Sequence, residues 1–246
     1  MGESTVPSTP PMFPGEVFAH TADFDIGIRQ LLPRYDEILD TLVFCLPKTS
    51  QYILELGCGT GELSLKLLQQ FPSARVVAVD YSPRMLSYAQ SKINAAGYAD
   101  RWTAIQADFG EWADKKEATT IGNSFDACVS SLAIHHLKDE MKLKLFHRIR
   151  ESLNPGGAFW NADPILPESE FLGQVYLAAR ENWARQEGTT LAKIRAKIGK
   201  TTTYGYSNPD QLATLEAHLE MLEQAGFNTL AVPWKYFGLA VFGGLV

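Results

Sequence analysis

Tyr52-Ile53-Leu54-Glu55-Leu56-Gly57-Cys58-Gly59-Thr60-Gly61-Glu62 is the stretch whose reading decides the fold of this chain. Tyr52 to Leu56 is a short apolar run suited to a strand buried on both faces, and three glycines follow before helical periodicity begins near Glu62. Glycines at a strand-to-helix junction let the backbone turn tightly and let a ligand approach to contact distance. Dinucleotide binders use such a loop too, but their G-x-G-x-x-G spacing would put a third glycine at position 62, where this chain has Glu62. A carboxylate on the first helical turn competes with a phosphate for the positive helix end, so a phosphate-free ligand fits better. Glu62 could equally serve as a favourable helix-dipole contact.

Moving outward, short apolar runs near 52–56, 75–80, 102–107, 125–131 and 156–162 alternate with helix-period segments near 61–70, 83–96 and 138–152. That alternation is the signature of an α/β fold with a parallel sheet between helices. Residues 1–15, rich in Pro, Ser, Thr and Gly, read as a disordered tail, and 16–48 as an N-terminal helical lid with its second helix starting at Pro33. Residues 49–246 form the main domain. Within it, 164–208 reads as a helical insertion carrying helices over Glu168–Gln186 and Thr190–Lys200, followed by a helix over Asp210–Gln224. Phe227–Val232 and Tyr236–Val241 read as two last strands either side of Pro233-Trp234.

The second strand ends in Asp80, nineteen residues after Gly61, where an acid can accept hydrogen bonds from both hydroxyls of a ribose. Tyr81 and Met85 could flank an adenine ring, or do ordinary core and capping duty. At the end of the third strand, Asp108 could accept from an adenine amino group and Phe109 could pack on the ring. Glu55, at the end of the first strand, is positioned to receive a ligand ammonium.

Taken as a set, Leu54 to Gly61, Val79-Asp80, Ala107-Asp108-Phe109, Phe125 to Ser131 and Leu153-Asn154-Pro155-Gly156-Gly157 resemble class I S-adenosylmethionine-dependent methyltransferases in order and spacing. The likeness covers roughly residues 50–163, and Ala225-Gly226-Phe227 with the last two strands extends it. The resemblance implies a seven-stranded Rossmann-like sheet with its last strand antiparallel, and S-adenosylmethionine at the carboxyl ends of the first strands. It further implies that Glu55, Gly57 and Gly61 lie toward the methionine part, Asp80 toward the ribose, Asp108 and Phe109 toward the adenine, with Ser130 beneath the methionine; Cys58 and Gly59, in the same loop, are also candidate cofactor-binding residues. Phe24-Asp25 and Pro33-Arg34-Tyr35 resemble the N-terminal lid of carboxy-S-adenosylmethionine synthase-like members, where Arg29 or Arg34 would meet the extra charge.

Methyl transfer from a sulfonium is an in-line displacement, and positioning alone can supply roughly 7–11 kcal/mol. A general base is optional; His135 and His136, after the fourth strand, are the candidates, the other reading being that they shape the loop. Arg29, Tyr35, Tyr176, Arg180 and Trp183 are candidate walls for the acceptor. The acceptor expected is a small molecule methylated on O, N or C; a non-catalytic cofactor-binding protein, or an enzyme using a modified S-adenosylmethionine, is the alternative.

Other classes fit less well. Tyr88 and Lys92 satisfy the Tyr-x-x-x-Lys pattern of short-chain dehydrogenases but lie on the helix after the second strand, far too early in the chain. A net charge of -6 offers phosphate backbones no global attraction, and the basic run Lys193, Arg195, Lys197 and Lys200 reads as a solvated helix face. Ser130-Ser131-Leu132-Ala133 is unlike the Asn/Asp-Pro-Pro-Tyr/Phe of nucleic-acid amino-methylating enzymes. Cys45, Cys58 and Cys128 have no metal-ligand spacing, so no metal is expected. Without a signal-like start or an apolar run of about 18 residues, the expectation is a cytoplasmic protein free of membrane, with a homodimer allowed for.

Overall fold

The computed structural model describes residues 12–16, 18, 21–115, 121–199 and 201–246. Two helices, α1 (Phe24–Leu31) and α2 (Tyr35–Phe44), precede the alternating core. It runs β1 (Tyr52–Leu56), α3 (Glu62–Gln70), β2 (Arg75–Asp80), α4 (Pro83–Ala95), β3 (Trp102–Gln106), α5 (Phe109–Ala113) and β4 (Phe125–Ser131). It continues with α6 (Asp139–Ser152), β5 (Leu153–Pro164), α7 (Glu170–Gln186), α8 (Leu191–Arg195), α9 (Leu215–Gln224), β6 (Asn228–Tyr236) and β7 (Leu239–Leu245). The seven strands lie in the order β3-β2-β1-β4-β5-β7-β6, and β7 is antiparallel to both its neighbours.

Successive residues of the inner strands feed two separate apolar layers. Ile53, Val76, Ala78 and Val129 pack with α2, α3 and α4, whereas Leu54, Leu56, Val77 and Val79 pack with α5, α6 and α9. Burial on both faces is why β1 reads as a continuous apolar run rather than an alternating one. The sheet order changes direction between β1 and β4, so the carboxyl ends of β1 and β4 flank an open crevice, the usual ligand position in such sheets.

Several boundaries differ from the sequence expectation. The 1–15 tail lies outside the described residues as far as residue 11, but Met12 is buried and bridges to Thr201, and Pro14 is buried as well. Composition could not anticipate this, because the pairing partner is 189 residues away. Pro233 does not separate the last strands; it sits inside β6, between the irregular pairings of Ala231 and Trp234, and the turn falls at Phe237 with φ 49°. β6 is an edge strand, where the missing N–H of a proline costs no ladder bond. Residues 210–214 are not helical: α9 starts only where the Thr214 side chain accepts from the Ala217 N–H. In the same way α8 ends at Arg195, short of the expected Lys200, which itself lies outside the described residues.

Candidate active site

The crevice at the carboxyl ends of β1, β2 and β4 is a cleft of about 710 Å³. Its floor is the glycine loop. Gly57, Gly59 and Gly61 all have positive φ, at 72°, 51° and 82°. A Cβ on Gly57 would stand 2.2 Å from the Ala133 Cβ, so this glycine lets β4's exit segment close against the loop; a Cβ on Gly59 would meet nothing within 4 Å, leaving its backbone open. Gly57 and Cys58 both donate their N–H to the Val79 carbonyl, which locks the loop to β2.

Two buried acids face this floor. Glu55 is 1% exposed and accepts the Ser64 hydroxyl; burial pushes its carboxyl up to about 8. Asp80 accepts the Gly59 N–H with Oδ2 and the Ser82 N–H with Oδ1, each at 2.9 Å, and burial pushes it up to about 6. Both carboxyls are therefore short of compensation: a cationic amine near Glu55 and hydroxyl donors near Asp80 would restore the charged forms. Tyr81, Met85 and Phe109 line the same cleft. A tightly packed wall was not anticipated from sequence. Pro14, Gly15 and Glu16 cover the cleft, Glu16 accepts the Ser82 hydroxyl and the Phe13 N–H, and Arg84 pairs with Glu16 at 3.3 Å.

Asp108 is set slightly apart. It caps α5 by accepting the Gly110 N–H at 2.7 Å, accepts the Tyr206 N–H at 3.0 Å, and lines an adjoining side pocket with Tyr81, Gln106 and Tyr204. Tyr204 stacks on Tyr81 with ring centroids 4.9 Å apart. The Ser130 hydroxyl turns away from the cleft to donate to the Leu56 carbonyl at 2.9 Å, so the following residues, Ser131 to Ala133, form that wall instead.

A second cavity of about 1130 Å³ abuts the first, sharing Pro14, Gly15, Phe24, Leu132 and His136. His135 and His136 stand at the junction. His135 donates Nδ1–H to Asp163 at 2.7 Å, and Asn161 donates to the other carboxylate oxygen at 2.8 Å. Burial works to raise Asp163, but the neighbouring His135 and its hydrogen bond, with that of Asn161, hold it below the usual carboxylate range. His136 donates Nδ1–H to the Asn208 carbonyl at 3.1 Å, and burial, with His135 alongside, lowers it to about 3, so it stays neutral. The backbone N–H groups of Asn208 and Gln211 donate to the carbonyls of His136 and His135, stitching the insertion onto the histidine pair.

Known proteins agree with this geometry. The family model described as a methyltransferase domain matches residues 53–157. An uncharacterized methyltransferase of Bacillus cytotoxicus is 29% identical over 174 residues, covering 69% of this chain and 74% of its own. The demethylmenaquinone methyltransferase of Chlorobaculum parvum is 28% identical over 179 residues, covering 71% of this chain and 65% of its own. The solved structure of PigF with S-adenosylhomocysteine superposes with a TM-score of 0.61 at 15% identity, covering 92% of this chain but 58% of PigF.

Residues 53–157 thus carry a methyltransferase domain.

S-adenosylmethionine is the cofactor of this methyltransferase, and the two under-compensated acids and the open loop fit it. The expected acceptor walls divide. Tyr35 lines the cofactor cleft and Arg180 the second cavity. Arg29, Tyr176 and Trp183 line neither. The guanidinium of Arg29 is spent on Asp36 and Glu62, at 2.7 and 2.6 Å, and Trp183 donates to the Arg29 carbonyl at 2.9 Å, docking α7 on α1. Tyr176 donates to Glu168 at 2.6 Å and packs edge-on to Phe237, at the far end of the insertion. Arg34 pairs with Glu37 and lies over the Tyr236 ring, so neither arginine expected to meet an extra cofactor charge is free.

Glu62 itself belongs to a network: Lys92 bridges it to Asp25, and Asp25 accepts the Thr60 hydroxyl at 2.6 Å. Burial tends to raise Glu62, while the hydrogen bonds from Lys92 and Arg29 hold it below its ordinary value. The network clamps α1 to the glycine loop and to α4, and it accounts for Lys92 without any redox role alongside Tyr88. Among the described residues, no helix is long and apolar enough to cross a membrane.

Proposed function

We propose that this methyltransferase transfers a methyl group to an oxygen, nitrogen or carbon of a small acceptor held in the second cavity, with His135 taking the acceptor's proton. One observation carries the reading: the cofactor cleft and the larger cavity share five walls, with the histidine pair at the junction. A protein that only bound the cofactor would need no such second chamber.

Bound S-adenosylmethionine supplies an electrophilic methyl on a sulfonium, displaced in line. Glu55 receives the ammonium and Asp80 the ribose hydroxyls; Tyr81, Met85 and Phe109 hold the ring, with Asp108 at its edge. Because Nδ1–H donates to Asp163, His135 presents its Nε2 lone pair toward the cavity, on the side of Asp210 at 3.7 Å. A base so oriented typically contributes about 10²–10⁴-fold. Residues 16–48 and the insertion 164–208 act as the lid, excluding water from the transfer.

The test is release of S-adenosylhomocysteine across a panel of phenol, amine and activated-carbon acceptors, after calorimetry with S-adenosylmethionine, S-adenosylhomocysteine and NAD. Turnover of a small acceptor supports the reading. Binding of NAD but of neither sulfur nucleoside overturns it.

A further inference from the structure

Arg180, on α7, and Arg195, the last residue of α8, both line the second cavity. Other arginines of the chain are matched: Arg29 with Asp36 and Glu62, Arg34 with Glu37, and Arg101 with the carbonyls of Leu68, Phe71 and Ala74. These two differ. Among the described residues, neither has a carboxylate within 4.0 Å or donates a hydrogen bond, and the Nε of Arg180 is buried without an acceptor. The acid in the same cavity, Asp210, leans toward the histidines, at 3.7 Å from both, with its side chain 66% exposed.

An unsatisfied buried guanidinium is costly, and a second one beside it adds repulsion. The strain is visible in Arg180, whose basicity is lowered by burial and then by Arg195. An anionic ligand group would offset that repulsion, and the fork of N–H donors matches a planar carboxylate or a phosphate. The same cavity has an apolar lining from Phe24, Ile28, Leu31 and Leu132, and it shares His136 with the cofactor cleft. A ligand bound there would bury an apolar body, point one end at the methyl group and anchor the other on the arginines.

We propose that Arg180 and Arg195 form an oxyanion subsite, and that the methyl acceptor carries a carboxylate or phosphate opposite its methylated atom. The proposal rests on reading the second cavity as the acceptor chamber. It goes further by stating the acceptor's charge class.

The experiment uses matched pairs: 3,4-dihydroxybenzoate against catechol for the carboxylate, and phosphoethanolamine against ethanolamine for the phosphate. Each is titrated calorimetrically into the full chain saturated with S-adenosylhomocysteine, and each is assayed for turnover. The expected result is at least tenfold tighter binding of one anionic member than of its neutral partner, and which pair responds identifies the source of the charge. In Arg180→Gln/Arg195→Gln that preference disappears, while S-adenosylhomocysteine affinity and circular dichroism stay unchanged. Arg195→Gln alone, at an exposed position, removes part of the preference and guards against a folding defect in the double variant. Equal binding of charged and neutral partners, or a preference that survives in the double variant, overturns the proposal. If S-adenosylhomocysteine does not bind, the functional reading fails separately, and the titrations on ligand-free protein still decide the subsite by the same criterion.

Discussion

Asp163, fully buried at the end of β5, accepts the Nδ1–H of His135 at 2.7 Å and thereby fixes which nitrogen of that ring faces the acceptor cavity. The two residues lie 28 positions apart, at the carboxyl ends of the adjacent strands β4 and β5, and only the fold brings Asp163 to the histidine. If His135 is the base, His135→Ala lowers kcat by about 10²–10⁴-fold, and Asp163→Asn, which permits the wrong tautomer, lowers kcat by a smaller factor. Both leave S-adenosylhomocysteine affinity within about twofold. Steady-state kinetics paired with calorimetry checks this, and unchanged kcat in both variants would mean that positioning alone drives the transfer.

Glu55 should couple cofactor binding to pH. Its carboxyl sits at about 8 in the cofactor-free protein, so near pH 7 it holds a proton that an adjacent ammonium would expel. Calorimetry at pH 7 in two buffers of different ionisation heat should therefore report proton release on binding S-adenosylmethionine, and Glu55→Gln should abolish it. Identical apparent enthalpies in the two buffers would refute the pairing.

The same shift has a sign for stability. Between the ordinary value of 4.5 and about 8, the folded state keeps a proton that the unfolded chain has lost. The cofactor-free protein is thus expected to lose stability as pH rises through that window, and Glu55→Gln to show a flatter dependence between pH 6 and 8. Urea midpoints across that range measure it.

Asp80 organises the loop as well as facing the cleft, because it accepts the N–H groups of both Gly59 and Ser82. Asp80→Ala is expected to weaken S-adenosylhomocysteine binding by more than about 1 kcal/mol, the scale of a lost charge-assisted hydrogen bond. Unchanged affinity by calorimetry would remove Asp80 from the cofactor site.

The loop glycines are not equivalent. Gly57→Ala combines a left-handed backbone with a 2.2 Å clash against Ala133, whereas Gly59→Ala meets open space and carries only the backbone cost of about 1–2 kcal/mol. Denaturant midpoints should fall further for Gly57→Ala. Gly59→Ala should instead show its main effect on cofactor affinity, since its Cβ would project into the cleft.

The core strands and helices were legible because they carry local signals: buried apolar runs for β1, β2 and β4, and periodic faces for α3, α4 and α6, with a Ser82 cap and Pro83 opening α4. The gathering of Glu55, Gly57, Gly59 and Asp80 in one cleft was legible too, because they sit within a few residues of strand ends whose register follows from the fold. Elements without a local signal were misjudged. Pro233 resembles a breaker and lies in an edge strand, and Met12 resembles tail and packs on Thr201.

By itself, then, the sequence determined the class of fold and the cleft at its strand ends, since both depend on short-range patterns of apolar runs, glycines and strand-terminal acids. Only the tertiary structure decided which side chains surround the acceptor. It tied Arg29 and Trp183 into the packing of the N-terminal helices, brought Asp163 to His135, and left Arg180 and Arg195 lining a cavity with no carboxylate of the described residues within 4.0 Å of either. Those outcomes depend on long-range pairing of charges and hydrogen bonds, which spacing along a chain does not encode.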